Sequence, residues 1–222
     1  MSSLDPFNPL DKQNLAASVA EALLGRKARP LGELESFKGA GIYAIYYAGD
    51  FAPYTLLKKR NAGGRLVAPI YVGKAVPQGA RKGGVGTGNS ATKALFNRLK
   101  EHAESIEAVN NLRLSDFVCR FLVVDDIWIP LGESLLIAKF APIWNNIIDG
   151  FGNHDPGKGR YQGMRPRWDV LHPGRSWAAK CQPRPESVKQ IIADVEQFLR
   201  NTPQPPVDHF YAEQRRADYG VE

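Results

Sequence analysis

The chain has 222 residues, 43% hydrophobic and 23% charged, which supports a packed core and excludes an intrinsically disordered protein. No run approaches the ~20 apolar residues that a membrane span needs. Residues 1–11 lack the basic stretch followed by an apolar run that marks a secretory signal. The net charge of +6 is unevenly spread. Residues 48–88 carry seven Lys or Arg against Asp50 alone, and residues 150–185 carry seven against Asp155 and Asp169. The rest of the chain is net acidic. Both basic stretches are rich in Gly and Pro and read as loops, and basic loops on an acidic body suit a phosphate-backbone binder. The duller reading is that they are ordinary solvated loops.

The two cysteines, Cys119 and Cys181, have no neighbours at metal-ligand spacing, which argues against a zinc site. Cys119 lies in an apolar run and reads as a buried free thiol. A reducing cytoplasm is the expected compartment.

In chain order, a first helix is expected from an N-cap at Asp11 to Gly25, with Leu15, Val19, Ala22 and Leu23 as its apolar stripe and Leu10 stapled to Leu15. Strands follow at 41–47 and 66–73, separated by an exposed basic loop, Lys58–Arg65. A glycine-rich loop at 79–88 leads to Ser90, the expected N-cap of a helix running to about Val109 on Leu95, Leu99, Ala103 and Ile106. A third strand is expected at 117–124. A helix opened by Pro130 must stop near Phe140, because Pro142 disfavours helical geometry at Ala141. Residues 149–185 read as loop. Residues 186–200 read as a strongly amphipathic helix with Val188, Ile191, Ile192, Val195, Phe198 and Leu199 on one face, followed by an irregular proline-rich tail. The result is α+β: a small central antiparallel or mixed β-sheet of about three strands, flanked by helices, with helical additions at both ends and long basic loops.

Two tyrosines, Tyr43 and Tyr71, lie on the first two strands, and antiparallel pairing can bring them to one face. Arg98 and His102 stand four apart on a helix and share a face. Lys74 follows the second tyrosine strand, Glu133 opens the Pro130 helix, and Asn145 comes twelve residues later. A phosphodiester cutter needs such groups. One carboxylate suits a Mg²⁺ that keeps most of its waters, a fixed cation offsets charge on the phosphorane, and a base takes a proton from water. Singly, each has a plainer explanation: packing for the tyrosines, a solvated face for Arg98 and His102, dipole complementation for Glu133, a turn for Asn145.

Their joint order resembles the GIY-YIG nuclease superfamily. Gly41-Ile42-Tyr43 matches its first half-motif and Tyr71-Val72-Gly73 the second, with Val for Ile. Arg98 matches the helix arginine, Glu133 the metal-binding glutamate and Asn145 the following asparagine. His102, Lys74, the long basic insertion between the half-motifs and the additions at both ends resemble the type II restriction endonuclease branch, and most nearly its enzymes that cut CCGCGG. The resemblance implies one domain over 1–222, with a catalytic core at about 39–147, an N-terminal helical addition at 1–38, and a DNA-binding loop and C-terminal helix at 148–222.

It also implies roles. Tyr43, alone or with His102, activates water, and which of the two is the base stays open. Lys74 lowers the Tyr43 pKa or touches phosphate. Tyr71 and Arg98 bind the scissile phosphate. Glu133 holds one Mg²⁺, and Asn145 orients Glu133 or a phosphate. Double-stranded DNA is the expected partner, contacted by Lys58, Lys59, Arg60 and Arg65 and by Lys158, Arg160, Arg165 and Arg167. A palindromic target implies a homodimer on DNA. Arginines in the second group suit guanine O6 and N7, or meet phosphate alone. The rival readings are a GIY-YIG nuclease of repair or homing type and a non-catalytic DNA-binding protein.

Overall fold

The run Gly41–Tyr47 alternates Ile and Tyr so densely that both of its faces are apolar, as a central strand requires. In the computed structural model, which describes residues 11–77 and 92–203, every one of its seven residues is buried. The strands are β1 (Arg29–Pro30), β2 (Gly41–Tyr47), β3 (Tyr71–Ala75) and β4 (Phe117–Val123). They form one sheet in the order β1-β4-β2-β3, with every pairing antiparallel. The expected α+β class and small central sheet are therefore what the chain folds into, with the two-residue β1 as a fourth strand.

The helices are α1 (Lys12–Leu24), α2 (Thr55–Asn61), α3 (Ala94–Glu107), α4 (Ile129–Phe140), α5 (Ile143–Asn146), α6 (Arg167–Leu171) and α7 (Val188–Asn201). Strand alternation divides the core in two. Tyr43, Ile45 and Tyr47 pack with Leu95, Leu99 and Ile106 of α3, Trp144, Trp168 and the apolar stripe of α7. Ile42, Ala44, Tyr46 and Val72 meet α1 and α4 on the other face through Ala20, Leu23, Ile129 and Leu136. Each large apolar side chain so buried contributes about 1.5–3 kcal/mol.

Several expectations need correcting. The second strand starts at Tyr71 rather than 66, because Leu66 takes a positive φ of 45° and breaks the extended run. The basic stretch 58–65 is not a loop throughout: Lys58, Lys59 and Arg60 form the last turn of α2, where cations complement the helix dipole. α1 buries Ala16, Ala20 and Leu23, while Ala22 faces solvent. Val188 is 45% exposed and lies off the buried stripe of α7, which opens with a Ser187–Gln190 capping box. The stretch 149–185 contains α6 and two short 3₁₀ turns. The stop at Pro142 is as expected, with α4 ending at Phe140 and Ala141 left-handed. Cys119 is a buried free thiol, and burial pushes its pKa up to about 12. The helix expected to start at a Ser90 cap starts at Ala94, with Lys93 in the N-cap position. The glycine-rich loop with Arg81 and Lys82, the Leu10 staple and the proline-rich tail lie outside the described residues.

Candidate active site

Cross-strand register sets the site. Tyr43 of β2 pairs with Gly73 of β3, and Ile45 with Tyr71, so both tyrosines project from one face. A Cβ at Gly73 would lie 2.4 Å from the Tyr43 hydroxyl oxygen and 2.6 Å from its Cζ. Glycine is there because the Tyr43 ring lies flat across the neighbouring strand. Gly41 answers a similar demand from the other side, since a Cβ would lie 1.9 Å from the Leu122 carbonyl oxygen. The glycines of both half-motifs are thus clearances for the sheet that carries Tyr43.

The α3 helix lies over this face and lowers His102 onto the tyrosines. The Tyr43 hydroxyl is 2.7 Å from His102 Nε2, and both residues are buried. The His102 ring is 5.4 Å from that of Tyr43 and 5.2 Å from that of Tyr71. Burial, assisted by the nearby Arg98 guanidinium, pushes the His102 pKa well below its usual value, so the ring is neutral near pH 7. Burial also raises the Tyr43 pKa well above 10.0, with Tyr71 adding to the rise and Arg98 opposing it. With the ring proton on Nδ1, Tyr43 O–H donates to Nε2, and both shifts keep that proton on the tyrosine in the resting site.

Arg98, one turn before His102, donates Nη1–H to Glu101 (3.0 Å) and to His154 Nε2 (2.8 Å), and Nη2–H to the Gly152 carbonyl (2.7 Å). Phe151 stacks on His102 at 4.5 Å and 15°. Gly152 and His154 escaped notice in the sequence, because a loop has no periodicity to show which of its residues turn inward.

Lys74 and Glu133 reach the site from the opposite face. Lys74 pairs with Ile42, so it points toward α4, where its Nζ meets Glu133 Oε2 at 2.6 Å. Among the effects that shift Tyr43, Arg98 is the cation, not Lys74. Burial is the main reason the Tyr71 pKa is raised, and the Glu133 carboxylate contributes, so its charge is felt around the edge of β3. One carboxylate with no acidic partner suits Mg²⁺, which keeps most of its water shell. Among the described residues no cluster of three or more His, Cys, Asp or Glu is set to hold an ion.

Asn145 has a defined place. Its Oδ1 accepts from Val72 N–H and its Nδ2 donates to Val72 O, both at 2.8 Å, while Trp144 N–H donates to Ile70 O at 3.0 Å. These bonds replace the missing neighbour of edge strand β3.

A family model for the Eco29kI GIY-YIG domain matches residues 35–199, about three quarters of the chain and the whole of the site described above. The chain belongs to the Eco29kI GIY-YIG family. No curated protein matches it. Membership identifies a nuclease of the GIY-YIG restriction endonuclease branch, a DNA-cleaving hydrolase, and the match extends past Asn145 to include α6 and most of α7.

The two basic groups differ in how free they are. Lys59, Arg65, Lys158 and Arg160 are exposed, whereas Lys58 pairs with Asp50. Arg60 donates to the Leu199 and Thr202 carbonyls and ties α2 to the end of α7. Arg165 donates to the Ala178 and Ala179 carbonyls. Arg167 donates to Ile147 O and pairs with Glu186 and Asp194. Arg160 lines a groove with Asn153, His154, Met164 and Trp177, and residues 152–155 and Trp177 also line the cavity beside Arg98 and His102. No described helix is long and apolar enough to cross a membrane.

Proposed function

We propose that this protein is a type II restriction endonuclease, cutting double-stranded DNA at a GC-rich palindrome with Mg²⁺ as cofactor and acting as a homodimer. The observation that carries the catalytic reading is the buried Tyr43–His102 contact of 2.7 Å, beneath Tyr71 and beside Arg98. A second buried tyrosine–histidine contact, Tyr54–His172, has the same 2.7 Å spacing. What supports a catalytic role for Tyr43–His102 is its place beside Tyr71 and Arg98, with Arg98 and His102 lining a cavity. In this mechanism the Tyr43 oxygen takes a proton from the attacking water as its own proton passes to His102 Nε2. In this reading the relay uses both candidate bases. Arg98 and Tyr71 bind the scissile phosphate and offset charge on it. Glu133 holds the Mg²⁺, which when bound supplies a Lewis acid for the departing 3′-oxygen. Lys74, whose Nζ meets Glu133 Oε2 at 2.6 Å, would be free to contact phosphate if Glu133 held the cation.

Lys158 and Arg160 meet DNA from the groove that continues out of the site, joined by Lys59 and Arg65. Arg165 and Arg167 hold the loop that presents the first pair, and Lys58 and Arg60 anchor the second. A palindrome is cut in both strands by two copies related by a dyad. Cytoplasmic residence is part of this reading, supported by two unpaired cysteines and a DNA substrate.

The test is a pair of duplexes, one bearing CCGCGG and one scrambled, each incubated with the protein in Mg²⁺ and in a chelator. Cleavage of the first duplex alone, and only with Mg²⁺, is expected. Equal cutting of both would reduce the protein to an unspecific nuclease, and cutting in chelator would remove the metal from the mechanism.

A further inference from the structure

The loop over the catalytic face is held by one side chain that the mechanism above does not use. Arg175 is 6% exposed. Its Nη1 donates to the Phe151 and Asn153 carbonyls at 3.1 and 3.0 Å, and its Nη2 donates to the Gly150 carbonyl at 2.8 Å. It also makes a fork-to-fork pair with buried Asp169, Nε to Oδ1 at 2.7 Å and Nη2 to Oδ2 at 2.6 Å. The guanidinium carbon lies 4.5 Å from the Trp168 ring and 4.7 Å from the Trp177 ring. Five N–H donors in a plane are the one side-chain arrangement able to serve a carboxylate and three carbonyls at once. The sequence counts Arg175 among the basic residues that would favour DNA, yet every donor faces inward.

What the fork holds is the strip that touches the catalytic residues. Phe151 covers His102 and sits edge-on to Tyr71 at 5.0 Å, while Gly152 O and His154 Nε2 fix the Arg98 guanidinium. We infer that Arg175, through Asp169 and the backbone of residues 150–153, is a positioning residue for catalysis, setting the orientation of Arg98 and the cover over His102. This rests on the nuclease reading for its rate effect, but not for its structural effect. The groups facing His102 are Tyr43 from β2, Tyr71 from β3, Arg98 from its own helix, and His154 and Arg175 from the loops. Loosening the strip admits water to the ring and moves its titration up, toward the ordinary histidine value.

Two variants separate this from a role in folding or in DNA contact. Arg175→Lys keeps the charge opposite Asp169 and removes the planar fork. Gly152→Ala leaves Arg175 and Asp169 intact, but its Cβ would lie 2.8 Å from Arg98 Nη2 and 2.9 Å from the Tyr71 hydroxyl. Each is expected to lower single-turnover cleavage about tenfold to a hundredfold, the scale of a 1 Å misplacement, with the Kd for DNA within about twofold. By histidine-ring NMR, His102 in Arg175→Lys should begin to titrate at a higher pH than in the parent protein. Native cleavage by folded Arg175→Lys would overturn the inference. So would a loss in Arg175→Lys confined to Kd, which would make Arg175 a DNA contact. If Arg175→Lys does not fold, Asp169→Asn, which weakens the carboxylate half of the same clamp, decides by the same cleavage and His102 titration readouts. If the parent protein cuts no DNA, the nuclease reading fails, and the His102 titration still decides whether Arg175 sets the site: an unchanged titration in a folded variant sinks it.

Discussion

Tyr43 carries the most specific commitments of any residue in the site. Tyr43→Phe deletes one oxygen and leaves the ring on Gly73, so the fold should survive while cleavage falls about 10²–10⁴-fold. His102→Ala should cost a similar factor, and the double variant little more than either single, because one proton path is broken once. Additive losses in single-turnover rates would mean that the two residues work separately. Gly73→Ala tests the sheet geometry. Its Cβ has no room beside the Tyr43 hydroxyl, so this small change should be as damaging to cleavage as Tyr43→Phe. Glu133→Gln should abolish Mg²⁺-dependent cleavage and leave DNA binding largely intact, read by gel shift in Ca²⁺. Most of this was legible in the sequence, because strand alternation and the i, i+4 helix spacing decide which side chains share a face. The Lys74 contact was not. Its side is dictated by pairing with Ile42, but its partner depends on where α4 docks, and no local pattern encodes that.

At the level of elements, β3 is an edge whose outer hydrogen bonds are supplied by Asn145 of α5. Asn145→Ala leaves the Val72 N–H and carbonyl without their partners and should cost about 1–3 kcal/mol of stability. A role confined to orienting phosphate would instead lower cleavage with the urea midpoint unchanged. The basic segments divide similarly. Arg167 joins Ile147, Glu186 and Asp194, so Arg167→Ala should lower thermal stability, whereas Arg160→Ala should leave Tm alone and weaken DNA binding. If Arg160 reads guanine, its loss falls on the cognate duplex by about 1–3 kcal/mol; if it meets phosphate, it falls on all duplexes and lowers the salt slope by about one. Charge counting in the sequence gave all these arginines equal standing. Only the tertiary placement of acceptors distinguishes those turned inward from those left in solvent.

At the scale of the whole fold, two buried neutral histidines among the described residues contribute to the response to acid. His102 bonds to Tyr43, and His172 is 2.7 Å from the Tyr54 hydroxyl, with burial pushing its pKa down to about 3. A folded-state pKa below the unfolded value of about 6.5 means that the unfolded chain binds more protons in the interval between them. Stability is therefore level above about pH 6.5 and falls as pH drops below it, by about 1.4 kcal/mol per pH unit for each histidine. Urea midpoints at pH 7.5, 6 and 5 should show this slope, and His172→Asn should flatten it.

The larger claim is that the pieces act together as a site-specific DNA cutter. Digestion of an unmethylated phage genome with the purified protein and Mg²⁺, resolved on a gel, tests it directly. A fixed ladder of bands with ends at GC-rich palindromes, absent for Glu133→Gln, is the expected outcome. A smear, or intact DNA under conditions where the protein binds it, would contradict the assignment.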